Sequence, residues 1–508
     1  MMDIDRPESE QRRRLLRNTI AAAGAGVMAG AATSAVAAAA PVPPGGTAAI
    51  VIAPAAGRGL QKAVKGTVLW QGDPAYEAAR GAAVYRANKP KRFPAVIVLA
   101  ESDKDVVAAV RFARDHGLKV GRRSGGHGWS SAHLRTGAML IDLSRMQTVE
   151  LDAKNRTLWT DPGVLGSRIN AELKPHGLII PTAHHPTVGI GGFAMCGGFG
   201  WNSRLWGNGA AHILAVDVVD AEGRLIRADE TRNTDYLWAA RGAGPGFFGV
   251  VTRMKLRANP MPPVMKVSAY GYTADVLEDL FTWARELVPK VPPYMELVIV
   301  STAHDPKTGD RVPVRITVAA LAITDTDQQA DQALALLESC PVLSKATFRR
   351  VGVKQDLGER YASGYAADPA GYRFACDNMY TNAPAAELVP KLRALFTDLP
   401  TPRSHVFWLN WGPVKPFPDD MALSVQGEVF LGAYSIWDDP AQDEAMEMWP
   451  VQQMKRLESL SVGGQMNDEN IARHPQRYLS DDANNRLEAL REKLDPHGVF
   501  LSFLRSVT

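Results

Sequence analysis

One short segment, Gly121-Arg122-Arg123-Ser124-Gly125-Gly126-His127-Gly128, concentrates residues able to do chemistry. Successive glycines permit positive φ and turn several backbone N–H groups toward one anion, which is what a pyrophosphate requires. The spacing is neither GxGxxG nor GxxxxGK[ST], which weakens the usual dinucleotide and triphosphate readings. Taken alone, the same residues also suit a plain turn in which His127 is a hydrogen-bonded structural histidine. A second segment, His184-His185-Pro186-Thr187-Val188-Gly189-Ile190-Gly191-Gly192, runs on to Cys196-Gly197-Gly198-Phe199-Gly200. Glycine at this density costs backbone entropy, a cost that makes sense where main chain lies flat against a large planar ligand. A tight interdomain turn is the alternative.

The elements around these segments alternate strand and helix. Residues 95–100 form an apolar run, and Glu101-Ser102-Asp103 supplies cap chemistry for an amphipathic helix through His116. Gly117 stops that helix and residues 118–121 read as the next strand, so the first glycine loop leaves directly from a strand end. Strands follow at 139–143, 157–160 and 215–220. From about Met265 the texture changes: strands at 265–272, 295–302, 312–322 and 423–436 and helices at 274–287 and 327–339 predict an antiparallel sheet backed by helices. Asn485, Arg486, Leu487 and Leu490 at helical spacing, with Asp495-Pro496 as a stop, predict a final helix that returns to the first domain.

At 508 residues the chain has room for two cores. Lys plus Arg (57) barely exceed Asp plus Glu (54), so nucleic acid is not an expected partner. Cys196, Cys340 and Cys376 are widely spaced, with no metal-binding companions, so no metal site is expected; buried thiols or one disulfide fit them. Residues 1–40 read as a signal peptide: Arg12-Arg13-Arg14-Leu15-Leu16, an Ala/Gly-rich apolar middle and small residues before Pro41. Paired arginines followed by leucines resemble a twin-arginine signal, whose route exports folded, cofactor-loaded proteins to the periplasm or beyond. No later stretch is long and apolar enough to predict a membrane span in the mature protein.

Four ordered motifs together resemble the FAD-linked oxidases of the berberine bridge enzyme-like group, in the vanillyl-alcohol oxidase superfamily. They are Arg123-Ser124-Gly125-Gly126-His127; Thr187-Val188-Gly189-Ile190-Gly191-Gly192; Trp238-Ala239-Ala240-Arg241-Gly242-Ala243-Gly244 with Phe248-Gly249-Val250-Val251-Thr252; and Asn485-Arg486-Leu487 with Asp495-Pro496. The resemblance spans about Asp73 to Phe500. It implies an α+β fold: a linker at 41–63, a PCMH-type FAD-binding domain at 64–262, a substrate domain at 263–465 with an antiparallel sheet backed by helices, and a C-terminal return at 466–508. By the same resemblance His127 bonds covalently to the flavin C8 methyl group, which raises the reduction potential and prevents loss of FAD outside the cytoplasm. The backbone of Arg123, Ser124, Gly125, Gly126, His127 and Gly128 is expected to hold the pyrophosphate. Thr187, Val188, Gly189, Gly192, Gly197, Gly249 and Val250 are expected along the ring systems, and Asn485 at the flavin edge. Many relatives carry a second, cysteinyl link just before Pro-Thr-Val-Gly. This chain has His185 there, predicting a single bond, with His185 either packing near the flavin or hydrogen-bonding substrate. Gly464-Gln465-Met466-Asn467 also departs from the Tyr-Val-Asn of many relatives.

Flavin oxidation of a small molecule needs a base for the substrate's hydroxyl, phenol or amine proton. Glu428, Tyr434 and Tyr478 are the candidates, the first two on one face of the strand predicted at 423–436 because they stand six residues apart. Phe407, Trp408, Trp411, Tyr380 and Trp437 provide either core or a stacking floor. The main expectation is an oxidase that returns electrons to O2. A dehydrogenase using a quinone or cytochrome acceptor is the rival, followed by a non-catalytic flavin-binding protein. A nicotinamide-dependent reductase on the same fold is disfavoured by the export signal and by His127.

Overall fold

The computed structural model describes residues 53–305, 307–412 and 416–503; the export signal expected at 1–40 lies outside them. The apolar strand Val96–Leu99 sits inside a four-stranded sheet ordered Thr67–Trp70, Val96–Leu99, Met139–Asp142, Val120–Arg123, the last three parallel. Ser102 caps the helix Asp103–Asp115 by accepting from Asp105 N, and Val106, Ala109, Val110 and Ala113 recur at helical spacing to bury its face on this sheet. The strand Val120–Arg123 runs straight into the first glycine loop. Its outer edge is taken by the C-terminal chain: Val120 N donates to Val499 O (2.8 Å) and Leu501 N to Val120 O (3.0 Å). Pro54–Ala63, expected inside a linker, is a helix, with Leu60 buried among the core residues of this sheet.

A five-stranded antiparallel sheet follows, ordered Val149–Asp152, Thr157–Thr160, Val250–Arg257, Ile213–Val219, Leu225–Ala228. The helix Asp481–Leu494, capped by Ser480, sends Leu487 and Leu490 into the core beneath it. Arg491 donates to Gly246 O (2.8 Å) and Phe500 O (2.7 Å), fastening the chain end to the same half of the molecule.

The third layer is an eight-stranded antiparallel sheet. Its centre is Met295–His304, His405–Asn410 and Val429–Trp437. Period-two alternation divides its faces. Leu297, Ile299, Val406, Trp408, Leu431 and Ala433 point into a core closed by the helices Leu277–Leu287 and Asp443–Leu457. Val298, Val300, His405, Phe407, Phe430 and Tyr434 point the other way, into a large cavity. The strand expected at 423–436 begins only at Val429, because the Glu428 carbonyl accepts from both Trp411 N (2.9 Å) and Gly412 N (2.7 Å), ending the ladder. All three cysteines are free thiols.

Arg204 ties the short helix Ser203–Trp206 to the eight-stranded sheet. Its guanidinium, half-buried at the end of a short helix, donates to the carbonyls of Trp411 (2.9 Å), Pro292 (3.0 Å), Met295 (2.6 Å), Val291 (2.9 Å) and Gly412 (2.5 Å). Five main-chain carbonyls thus accept from one side chain.

Candidate functional site

The two glycine-rich segments cross main chain against main chain. A Cβ at Gly125 would stand 2.5 Å from the Gly189 nitrogen, and one at Gly189 would stand 2.7 Å from Ser124 Oγ and 2.8 Å from the Gly125 nitrogen. No side chain fits at either position. Arg123 braces the first loop, donating Nη1 to both Asp142 oxygens (2.9 and 3.0 Å) and Nη2 to Gly125 O (3.1 Å), while Ser124 Oγ donates to Pro162 O. Gly126 takes the positive φ (76°) that lets the chain turn before His127.

Beyond the crossing opens a cavity of about 640 Å³. Arg123, Ser124, Gly125, Gly126, His127, Gly128, Val188, Gly189, Gly192, Gly249 and Val250 all line it. At Gly128 and Gly192 an added Cβ would meet nothing within 4 Å, so there bare backbone borders open space in which a flat ring system can lie. Asn467 Nδ2 and Ser502 Oγ belong to cavity-lining residues and are buried without a hydrogen-bond partner among the described residues. Their unmet donor capacity is what a polar ligand satisfies. The size, the bare main chain and these groups together fit a dinucleotide carrying a planar ring.

His127 faces this space with its ring stacked on Tyr85 (centroids 4.1 Å apart, 22° between planes) and its Nε2 2.8 Å from Thr187 Oγ1. Burial first, then the neighbouring His185 and Arg123, push its pKa down to about 3, so the imidazole is neutral at ordinary pH. Thr187 thus holds the histidine rather than lining the cavity. His185 packs 5.1 Å from the His127 ring and is itself lowered to about 4 by burial. Tyr85 belongs to no motif, and nothing in the sequence singled it out.

On the same cavity, the Tyr434 hydroxyl donates to Asp468 Oδ2 (3.0 Å), and Trp129 Nε1, just after the first glycine loop, donates to Asp468 Oδ1 (2.8 Å). The Tyr434 ring stacks on His405 (4.8 Å, 16°). Burial, reinforced by Asp468, raises the Tyr434 phenol well above its ordinary value. Burial also raises Asp468, against the hydrogen bonds from Trp129 and Tyr434. Nearby Asp368 is raised to about 7 by burial and by Asp468. Asp468 escaped sequence reasoning although it directly follows Gln465-Met466-Asn467, where a departure from the relatives had been noticed.

The other expected residues lie elsewhere. Glu428 precedes its strand, and its carboxylate pairs with Arg285 (2.6 Å), whose helix packs on the sheet's opposite face, so it is no base for the cavity. Tyr478 and Gly197 both line a separate cleft of about 10 Å³, where Gly197 (φ 106°) faces Leu423; neither reaches the main cavity. Asn485 is exposed on the outer side of its helix because Leu487 takes the inner side, and Arg486 instead stacks over Trp238 (4.2 Å). Of the aromatic residues, Phe407 lines the cavity, Trp408, Tyr380 and Trp437 are buried, and Trp411 packs on Phe199 (4.2 Å).

Known proteins resemble this chain in sequence and in fold. Residues 94–229 match the family described as FAD binding domain. The chain is 30% identical over 448 residues to the FAD-linked oxidoreductase nodO of Hypoxylon pulicicidum, covering 86% of this chain and 97% of that protein. Among solved structures, 6-hydroxy-D-nicotine oxidase from Arthrobacter nicotinovorans superposes with a TM-score of 0.74 at 22% identity, covering 86% of this chain and 96% of that one. The BBE-like 1 protein of Physcomitrella patens gives a TM-score of 0.74 at 19% identity over 89% and 99% of the two chains. These two likenesses establish a shared α+β fold.

Alanine at Gly125 should force the crossing apart, removing bound flavin and costing about 1–3 kcal/mol in a denaturant titration. Alanine at Gly128 should leave stability within about 0.5 kcal/mol and diminish flavin content alone. Undiminished flavin in Gly125→Ala protein would contradict this account of the crossing.

Proposed function

Because this chain belongs to the FAD-linked oxidoreductases, we propose that it is an exported oxidase that carries FAD on a single covalent bond through His127 and passes electrons from a small organic substrate to dioxygen. The substrate class is an alcohol, sugar, phenol or amine. The observation that carries the reading is that one cavity is lined both by a neutral imidazole on the glycine loop and by the hydrogen-bonded Tyr434–Asp468 pair. In this reading residues 64–262 and 466–508 hold the flavin and 263–465 cover the substrate.

When bound, FAD supplies a two-electron acceptor for the substrate's C–H bond. The protein's own contribution is placement and proton management. Phe407 and Phe430 line the substrate end and keep water from it. Tyr434 is positioned to hydrogen-bond the substrate's heteroatom, and Asp468, fixed at its other oxygen by Trp129, is the acceptor for the proton released. A base whose pKa is raised by burial is better matched to this task than an ordinary surface carboxylate. Val188 beside Gly189 is small, which supports room for dioxygen at the cavity wall. Arg12-Arg13-Arg14 with Leu15 and Leu16 supports export of the folded, flavin-loaded protein.

Acid precipitation should leave the yellow colour on the wild-type polypeptide, with substrate bleaching and peroxide release in air. His127→Ala protein should release its flavin into the supernatant; colour that stays with that variant would refute attachment at His127. Asp468 works as a base only when ionised, and its pKa is raised, so kcat/KM should fall as pH drops through a value above the ordinary carboxylate range. Asp468→Asn should lower kcat by about 10²–10⁴-fold and remove that acidic limb. A variant that keeps both rate and limb excludes Asp468 as the base. Exchanging Arg12 and Arg13 for lysine should strand flavin-loaded enzyme in the cytoplasmic fraction; unchanged export would exclude the twin-arginine route.

A further inference from the structure

The hydrogen bonds around His127 form one continuous chain with a fixed direction. The Tyr85 hydroxyl donates its only proton to Asp368 O at 2.7 Å, so its oxygen must accept from His185 Nε2, 3.1 Å away. His185 is therefore protonated on Nε2, with a lone pair on Nδ1. The Thr187 backbone N–H donates to that Nδ1 at 3.3 Å, which requires the same tautomer from the opposite end. Thr187 Oγ1 lies 3.0 Å from His185 Nδ1 and 2.8 Å from His127 Nε2. If its hydroxyl proton pointed to His127, two lone pairs would face each other at 3.0 Å across the other contact. The proton therefore goes to His185, and Oγ1 accepts from a protonated His127 Nε2.

We infer that Tyr85, His185 and Thr187 are positioning residues for flavin attachment: their relay holds His127 in its Nε2–H form and so presents Nδ1 as the attacking nitrogen. The inference rests on the reading of His127 as the attachment point, and it goes beyond it by naming the groups that select the attacking nitrogen. A histidine's tautomer is set by the hydrogen bond its other nitrogen makes, which is the service Thr187 performs here. The low pKa of His127 is consistent with a lone pair kept available at working pH.

Attachment would be a two-electron oxidation, with dioxygen, the acceptor proposed above, as oxidant and peroxide as its product. A bond from His127 Nδ1 to the C8 methyl carbon would replace one methyl C–H bond, the methyl proton passing to solvent. His127 would lose its Nε2 proton through Thr187 Oγ1 toward His185 Nδ1. His185 thus takes over the place of a second attachment residue in the sequence while serving the first bond.

The relay begins on the second half of the molecule. Asp368 ends the helix Leu357–Ala367, and Gly364 in that helix lies so close to the His184 carbonyl that a Cβ would stand 2.2 Å from its oxygen. Docking of this helix therefore fixes the far end of the chain that orients His127.

The test is the rate at which flavin becomes bound to the polypeptide, read by in-gel flavin fluorescence after acid denaturation, when riboflavin-starved protein is given FAD. Thr187→Val keeps the shape and removes both hydroxyl contacts; attachment should slow about 10- to 100-fold, as for partners that orient other ligating histidines. His185→Phe should act similarly, Tyr85→Phe more weakly, and Thr187→Ser should restore the wild-type rate. Native absorbance of non-covalent FAD and a thermal melt identify any variant that has merely failed to fold. Independently of folding, NMR of the flavinyl peptide from wild-type protein should show the bond at Nδ1. Attachment at Nε2, or a wild-type rate in folded Thr187→Val, overturns the relay; covalent flavin persisting in His127→Ala instead overturns the attachment reading beneath it.

Discussion

The site depends on one contact: the passage of Gly125 against Gly189 with no side chain between them. Two segments more than sixty residues apart come within a backbone's width of each other, and that proximity brings Thr187 to His127. A single β-carbon at either glycine would separate the loops by more than a hydrogen bond can span. The entropy cost of so many glycines is thus concentrated where main chain must meet main chain, and elsewhere where it must border the cavity.

The opposite wall is built by a different rule. In the eight-stranded sheet, simple alternation sends one residue set to the helix-backed core and the other toward the glycine loops, and Tyr434 falls on the cavity side. Glu428 has the same parity but lies one residue outside the ladder, where the Glu428 carbonyl closes the strand pair. Periodicity governs side-chain direction only inside the hydrogen-bonded register, and six residues of it do not extend across a ladder's end.

This separates what was legible in the sequence from what was not. The strands and helices around the first glycine loop, the helix-backed antiparallel sheet and the loop residues lining the cavity follow from local signals: apolar runs, a serine cap and glycine density. Tyr85 and Asp468 do not. Each acts through a contact hundreds of residues away, Tyr85 with Asp368 and Asp468 with Trp129, and neither partner leaves a mark in the spacing. Gly197 in the second glycine-rich segment and Tyr478 among the candidate bases both serve a neighbouring cleft, since residue type does not specify which side of the backbone faces the ligand. Asn485 shows the same limit on a helix, whose inward face is chosen by Leu487.

The electrostatics of the cavity argue for chemistry beyond cofactor storage. Asp368 and Asp468 both stand half-buried on its wall, and Asp468 makes ionisation of Asp368 harder. Two such acids are costly for folding, and an apolar or amide pair of the same size would hold a flavin more stably. Only one oxygen of Asp468 is committed to an indole N–H; the other meets a phenol whose own proton is held tightly by burial. A carboxylate so placed can gain a proton without rearranging its neighbours, because Trp129 keeps its geometry in either state. That combination, a raised acid with a fixed frame and a hydrogen-bonded phenol facing the ring site, is what proton removal requires and what passive binding does not.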